Sequence, residues 1–143
     1  MTPFGAKVRA LRRHRGIPLT RMAQDLGVSA AYLSALEHGR RGRPTPGLVM
    51  QVCGYFDLIW DEAEDLKHLA RLSHPRVVID TAGLNPEATE LANLLGECIA
   101  GLDIGTLAAA LALIRGETDV DPAGPATPAA GRRRPIVPNE ATG

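Results

Sequence analysis

Residues 19–39 read LTRMAQDLGVSAAYLSALEHG. Two apolar sets lie in this stretch at helical spacing, first Met22, Ala23 and Leu26, then Leu33 and Leu36. Gly27, Val28 and Ser29 separate them. Glycine readily ends a helix in the left-handed conformation, and serine caps the start of the next. The spacing therefore predicts helices over 19–26 and 30–37 joined by a tight turn. Ala23 is small where the two helices must cross closely, and Val28 and Leu33 set the crossing by packing on Met22 and Leu36. Such a pair presents its second helix to a DNA major groove while the first lies across the backbone. What the second helix would read with is the open question, because its side chains are mostly short.

The pattern extends outward on both sides. Phe4, Val8 and Leu11 predict a helix over 3–14, with Gly16 as its stop. Pro46 opens a helix over 46–56 that buries Leu48, Val49, Val52, Cys53 and Phe56. A fifth helix fits 61–72, acidic at its start and basic towards its end, as the helix dipole favours. HPRVVID, residues 74–80, breaks the pattern, since Pro75 disfavours helix and the β-branched run favours an extended segment. Two more apolar helices follow over 86–100 and 103–115. From Pro122 the chain is rich in Pro, Ala and Gly, with GRRRP inside it, and is expected to be disordered.

Hydrophobic residues make up 45% of the 143, but aromatics only 3%, so the core must be built of Leu, Val, Ile and Ala. This favours helices. The net charge is zero, yet it divides. Residues 1–43 hold nine Lys/Arg against Asp25 and Glu37, a net of +7, while the remainder holds seven against fourteen Asp/Glu, a net of −7. A basic first part suits a polyanion, and an acidic second part suits something that avoids it.

Other chemistries find little support. Cys53 and Cys98 stand alone among apolar neighbours and read as buried thiols in a reducing, cytoplasmic setting. No apolar run reaches the roughly 18 residues a membrane span needs, and the N-terminus lacks the apolar stretch of a secretion signal. His14, His38, His68 and His74 have no metal-ligand spacing with the cysteines, and no cofactor or metal is implied. DEAED, residues 61–65, is explained as an acidic first helical turn, so the chain reads as a non-enzyme.

VRALRRHRGIPLTRMAQDLGVSAAYLSALEHGRR, residues 8–41, resembles the helix-turn-helix domain of the XRE family, the lambda-repressor and Cro type. The resemblance covers about residues 4–58. It rests on Ala-x-x-x-Gly-Val-Ser at 23–29, Leu-Glu-x-Gly at 36–39 and the Pro44, Leu48, Val52 spacing. It implies a five-helix lambda-repressor-like domain, set at 1–73; with the apolar helices and the Pro-, Ala- and Gly-rich end read above, the expected fold is all-α, with a helical dimerisation region over 74–116 and a disordered tail over 117–143. It also implies a dimeric transcriptional regulator, most simply a repressor on a palindromic operator, with double-stranded DNA as partner, associated with the nucleoid, and with no effector evident.

In that family an arginine of the first helix pairs with the glutamate ending the third, which places a brace between Arg12 and Glu37. The glutamine that often starts the second helix is replaced by Leu19, so Thr20 or Arg21 would have to supply its phosphate contact. The base-reading positions fall on Ala30, Ala31, Tyr32, Ser34 and Ala35, with Ser29 beside them. Alanine can only touch a thymine methyl, and serine reads ambiguously. Affinity is therefore expected to lean on Arg40, Arg41 and Arg43 in the following loop, where an arginine can enter a narrow minor groove. Lys7, Arg9, Arg13, Arg15 and Arg21 are further phosphate candidates. Leu91, Leu94, Leu95, Cys98, Ile99, Leu107 and Leu111 form the expected dimerisation stripe, with RVVID, residues 76–80, pairing as a short strand across or near it. Two competing readings are an antitoxin-like or adaptor module with secondary, autoregulatory DNA binding, and an architectural DNA protein of low specificity.

Overall fold

Thr2 starts the fold. Its side chain accepts from the Gly5 N–H at 2.9 Å and caps helix α1 (Pro3–His14), with Pro3 in the first turn where no N–H is needed. Helices α2 (Leu19–Leu26) and α3 (Ala30–Glu37) follow, joined by Gly27 at φ 73° and by Ser29, whose hydroxyl accepts from the Tyr32 N–H at 3.0 Å. Helices α4 (Pro46–Tyr55) and α5 (Asp61–Arg71) complete the first group. Helices α6 (Pro86–Cys98) and α7 (Ile104–Arg115) come after a linker, with a short 3-10 turn at Ile99–Gly101 between them. The computed structural model describes residues 1–116, which are all-helical with no strand among them. The tail expected to be disordered lies outside the described residues.

The chain divides into two units, Met1–Ile79 and the part from Asp80 onward. The first has a core. Phe4 and Val8 of α1, Met22 and Leu26 of α2, Leu33 and Leu36 of α3, Val49 and Val52 of α4, Phe56, and Leu66 of α5 are all buried together. Leu11, Ile17, Val28 and Tyr32 pack half-buried around them.

The first unit is also laced by polar contacts across its ends. The Thr2 N–H donates to the Glu37 carbonyl at 3.0 Å, tying the start of α1 to the end of α3. The Phe4 N–H donates to the Ser73 hydroxyl at 2.8 Å, which in turn donates to the Leu69 carbonyl at 2.6 Å, tying α1 to the end of α5. Gly5 lies against the same corner. A Cβ there would come within 2.6 Å of the Glu37 Cα, so only glycine lets α1 and α3 approach this closely.

The second unit is different in kind. Asp103 caps α7 by accepting from the Thr106 N–H at 2.7 Å, a bond that also holds its carboxyl below the usual carboxylate range. Yet neither α6 nor α7 has a single buried residue. Of the predicted dimerisation stripe, Leu91, Leu94, Ile99 and Leu111 are exposed, and Leu95, Cys98 and Leu107 are half-buried. Cys98 is thus half-buried, not the buried thiol expected from its neighbours. Cys53 is buried, and burial pushes its thiol pKa up. Residues 76–80 form no strand, and Val78 is 95% exposed.

Candidate nucleic-acid interface

The interface is built on α3. Leu33, Leu36 and Glu37 take its inner face, which leaves Ser29, Ala31 and His38 exposed and Tyr32, Ser34 and Ala35 half-exposed on the outer one. Ala30 is half-buried against the core. The Ser29 hydroxyl oxygen is already accepting from the Tyr32 N–H, so it has its own proton free to donate outward. His38 Nδ1 lies 2.8 Å from the Ser34 carbonyl, which ties down the end of the helix.

Tyr32 is not a lone reaching side chain. The Arg41 guanidinium lies 5.3 Å over its ring, a cation–π distance. The pairing brings the loop after α3 back over the helix. Arg40, Arg41 and Arg43 are all exposed, and Gly42 between them sits at φ 85°, a bend that a residue with a Cβ would resist. Beside Tyr32 is an open concavity of about 490 Å³, lined by Val28, Ser29, Thr45, Gly47 and Gln51 among others. Thr45 caps α4 there by accepting from the Leu48 N–H at 3.2 Å. Sequence reasoning did not single out Thr45, Gly47 or Gln51. The Thr-Pro capping signature marks the start of α4, but only the tertiary fold places that start next to α3.

At the start of α2, Pro18 provides no side-chain cap, so the first N–H groups of the helix point out unpaired by side chains, an arrangement that favours an anion. Thr20 and Arg21 are exposed there. Arg21, however, is paired. Its Nε lies 3.1 Å from both Asp25 oxygens, and the Tyr55 hydroxyl donates to Asp25 Oδ2 at 2.6 Å. The Tyr55 hydrogen bond, with Arg21 behind it, holds the Asp25 carboxyl below the usual carboxylate range, and the same bond pushes the Tyr55 phenol up. Arg15 is also engaged within the fold, though exposed. It donates from Nη2 to the Phe56 carbonyl at 2.6 Å and stacks over the Phe56 ring at 5.4 Å. Lys7 and Arg13 are exposed, and Arg9 is half-exposed.

Behind the interface, Arg12 Nη2 sits 3.4 Å from both Glu37 carboxylate oxygens, and Nη1 donates to the Ile17 carbonyl at 3.2 Å. The two side chains are only 10% and 2% exposed. The expected brace between them is therefore present, and it is buried. Arg12 Nε has no partner among the described residues. A pair of this kind fixes geometry more than it adds net stability. It locks the terminus of α3 to α1, and with it the direction of the outer face.

A family described as "Helix-turn-helix domain" matches residues 3–73. The chain carries a helix-turn-helix domain. Among curated proteins it is 38% identical over 52 residues to an uncharacterized HTH-type transcriptional regulator, RghRB, of Bacillus subtilis (strain 168), covering 36% of this chain and 37% of that one. It is 40% identical, also over 52 residues, to the HTH-type transcriptional repressor RghR of the same organism, covering 36% and 38%. The match thus spans well under half the length of these relatives. No solved structure matches. No helix among the described residues is long and apolar enough to cross a membrane.

Proposed function

We infer that this protein is a DNA-binding transcriptional regulator that acts as a dimer, most simply a repressor that occludes a promoter. The carrying observation is the outer face of α3, with small residues at Ala31, Ser34 and Ala35, flanked by the Arg40, Arg41 and Arg43 loop. Small side chains let the helix sink deep into the major groove, where alanine methyls meet thymine methyls and serine hydroxyls bond base edges. Tyr32, held under Arg41, is a long contact on that face. Backbone contacts come from the loop arginines, the uncapped start of α2 and Thr20. The similarity to RghR, named a repressor, supports the regulatory reading.

Dimerisation rests on the second unit. Of its apolar positions, Leu91, Leu94, Ile99 and Leu111 are exposed and Leu95, Cys98 and Leu107 only half-buried among the described residues, and a second copy supplies the missing cover. The domains act as 1–73 for DNA and 74–116 for assembly. The 77–80 segment, which forms no strand, offers backbone groups for the same purpose.

Footprinting tests the reading. A palindromic site is expected, with half-sites about 34 Å apart along the helix axis. Replacing Arg40, Arg41 and Arg43 by Gln together should weaken binding to all sequences. It should also flatten the salt dependence by about 0.9 log unit per log unit of salt for each phosphate contact removed. Unchanged affinity and slope would overturn the loop assignment.

A further inference from the structure

We propose that the cleft between α4 and α5 is a binding site for a small anionic amphiphile, a molecule with a carboxylate-type head on an apolar body of a few carbons. The cleft is about 530 Å³, within the roughly 300–1,000 Å³ common for small-molecule sites. Val49 and Ala70, both buried parts of the core, reach its apolar floor, and Met50 adds an exposed, adaptable wall.

Three cations rim this floor: Arg43, Lys67 and Arg71. One carboxylate, Glu64, stands among them and holds Lys67 at 3.1 Å, which leaves a surplus of two positive charges. Arg71 is turned by His68, whose Nδ1 lies 2.7 Å from its Nη2, and Arg43 makes no hydrogen bond or ion pair among the described residues. Cationic rims around an apolar floor attract a ligand that is negative at one end and apolar at the other. An anion without an apolar body gains only screened, exposed charge pairing, and a neutral apolar molecule leaves the guanidinium and ammonium groups unanswered.

The occupant is small because the space is. The apolar lining lies between two helices, with Pro44 and Pro46 lining it at the start of α4. Arg43 belongs both to this rim and to the loop after α3, so the site abuts the candidate interface without sharing its reading helix. The proposal itself does not depend on DNA binding.

Titration calorimetry on the full chain, with octanoate as the probe and no DNA present, tests it. Octanoate should bind at one saturable site, and propanoate and 1-octanol should each bind at least tenfold more weakly. A triple variant Arg43→Gln, Lys67→Gln, Arg71→Gln should lose at least tenfold in octanoate affinity. These side chains lie at the surface, and an unchanged unfolding midpoint shows the fold intact. A double variant Lys7→Gln, Arg13→Gln removes charge away from the cleft and should leave the affinity as it was. The proposal is overturned by any of four results: no octanoate binding, octanol binding as tightly as octanoate, the triple variant binding like the parent, or the double variant losing as much as the triple.

Discussion

The two units of this chain are made of similar residues and behave differently. Met1–Ile79 encloses Phe4, Val8, Met22, Leu33, Val52, Phe56 and Leu66 completely. In the unit from Asp80 onward, α7 reads IGTLAAALALIR, more continuously apolar than any helix of the first, yet nothing in it is buried. Apolar content is a property of a segment, but burial is a property of an arrangement. Five helices crossing at angles can surround a volume. Two helices alone cannot surround one, and they leave most of their faces to solvent. The first unit is therefore specified from within, and the second asks for another surface.

The largest effects should fall where the first unit is closed. Arg12→Ala would leave the Glu37 carboxylate buried and unpaired, and should cost about 3–5 kcal/mol, read by urea unfolding. Gly5→Ala should act at the same crossing, by forcing α1 away from the Glu37 backbone. Losses of the size seen for exposed pairs, about 0–1 kcal/mol, would show that the corner opens easily and would erase the contrast between the units.

The next test concerns the second unit. Leu94→Glu with Leu111→Glu places charge on exposed positions of α6 and α7. Sedimentation should show the parent chain as a dimer and the variant as a monomer. In the monomer the unfolding midpoint of the first unit should stay put, because exposed substitutions usually change stability by within about 0.5 kcal/mol. A variant that remains dimeric would move the assembly surface elsewhere.

A smaller and opposite effect is expected at Trp60. This residue is 82% exposed and sits at φ 50°, ψ −121°, in a tight turn closed by the Glu62 N–H donating to the Ile59 carbonyl at 3.2 Å. That conformation suits glycine. Backbone strain of this kind is of order 1–3 kcal/mol, whereas glycine's extra freedom in the unfolded chain offsets about 0.4–1 kcal/mol. Trp60→Gly should therefore stabilise the first unit by about 1 kcal/mol in thermal unfolding. A destabilised variant would mean that the indole contributes more to packing than its exposure suggests.

The smallest effect is a titration. Asp25 is held below the ordinary carboxylate range first by Tyr55, then by Arg21. A depressed folded-state pKa means that the stabilisation is present above the unfolded value and is lost as pH falls through the folded one. Tyr55→Phe should move the Asp25 midpoint up, as followed by carboxyl NMR, and Arg21→Gln should move it less. Equal shifts would reverse the order of the two causes.

Much of this was legible beforehand. The helices predicted over 3–14, 19–26 and 30–37 are Pro3–His14, Leu19–Leu26 and Ala30–Glu37, because Pro3, Ser29, Gly16 and Gly27 carry local start and stop chemistry. Boundaries slipped where such chemistry was missing. Helix α6 ends at Cys98, and the chain tightens into a 3-10 turn rather than running on to 100. At the interface, sequence spacing gave the outer face of α3. It could not tell that Arg15 lies over Phe56, that Arg21 pairs with Asp25, or that Arg41 lies over Tyr32. All three arginines look alike in the sequence, since charge carries no address.

What the sequence determined by itself, then, is local: where helices begin and end, which face of each is apolar, and that charge divides between the two parts. Those properties depend on neighbours within a few residues. The tertiary structure alone decided that Arg12 and Glu37 meet out of water and that α4 brings Thr45 and Gln51 beside α3. It also decided that an apolar floor between α4 and α5 is ringed by Arg43, Lys67 and Arg71. Each of these depends on residues far apart in the chain, and the packing of the helices brings them together.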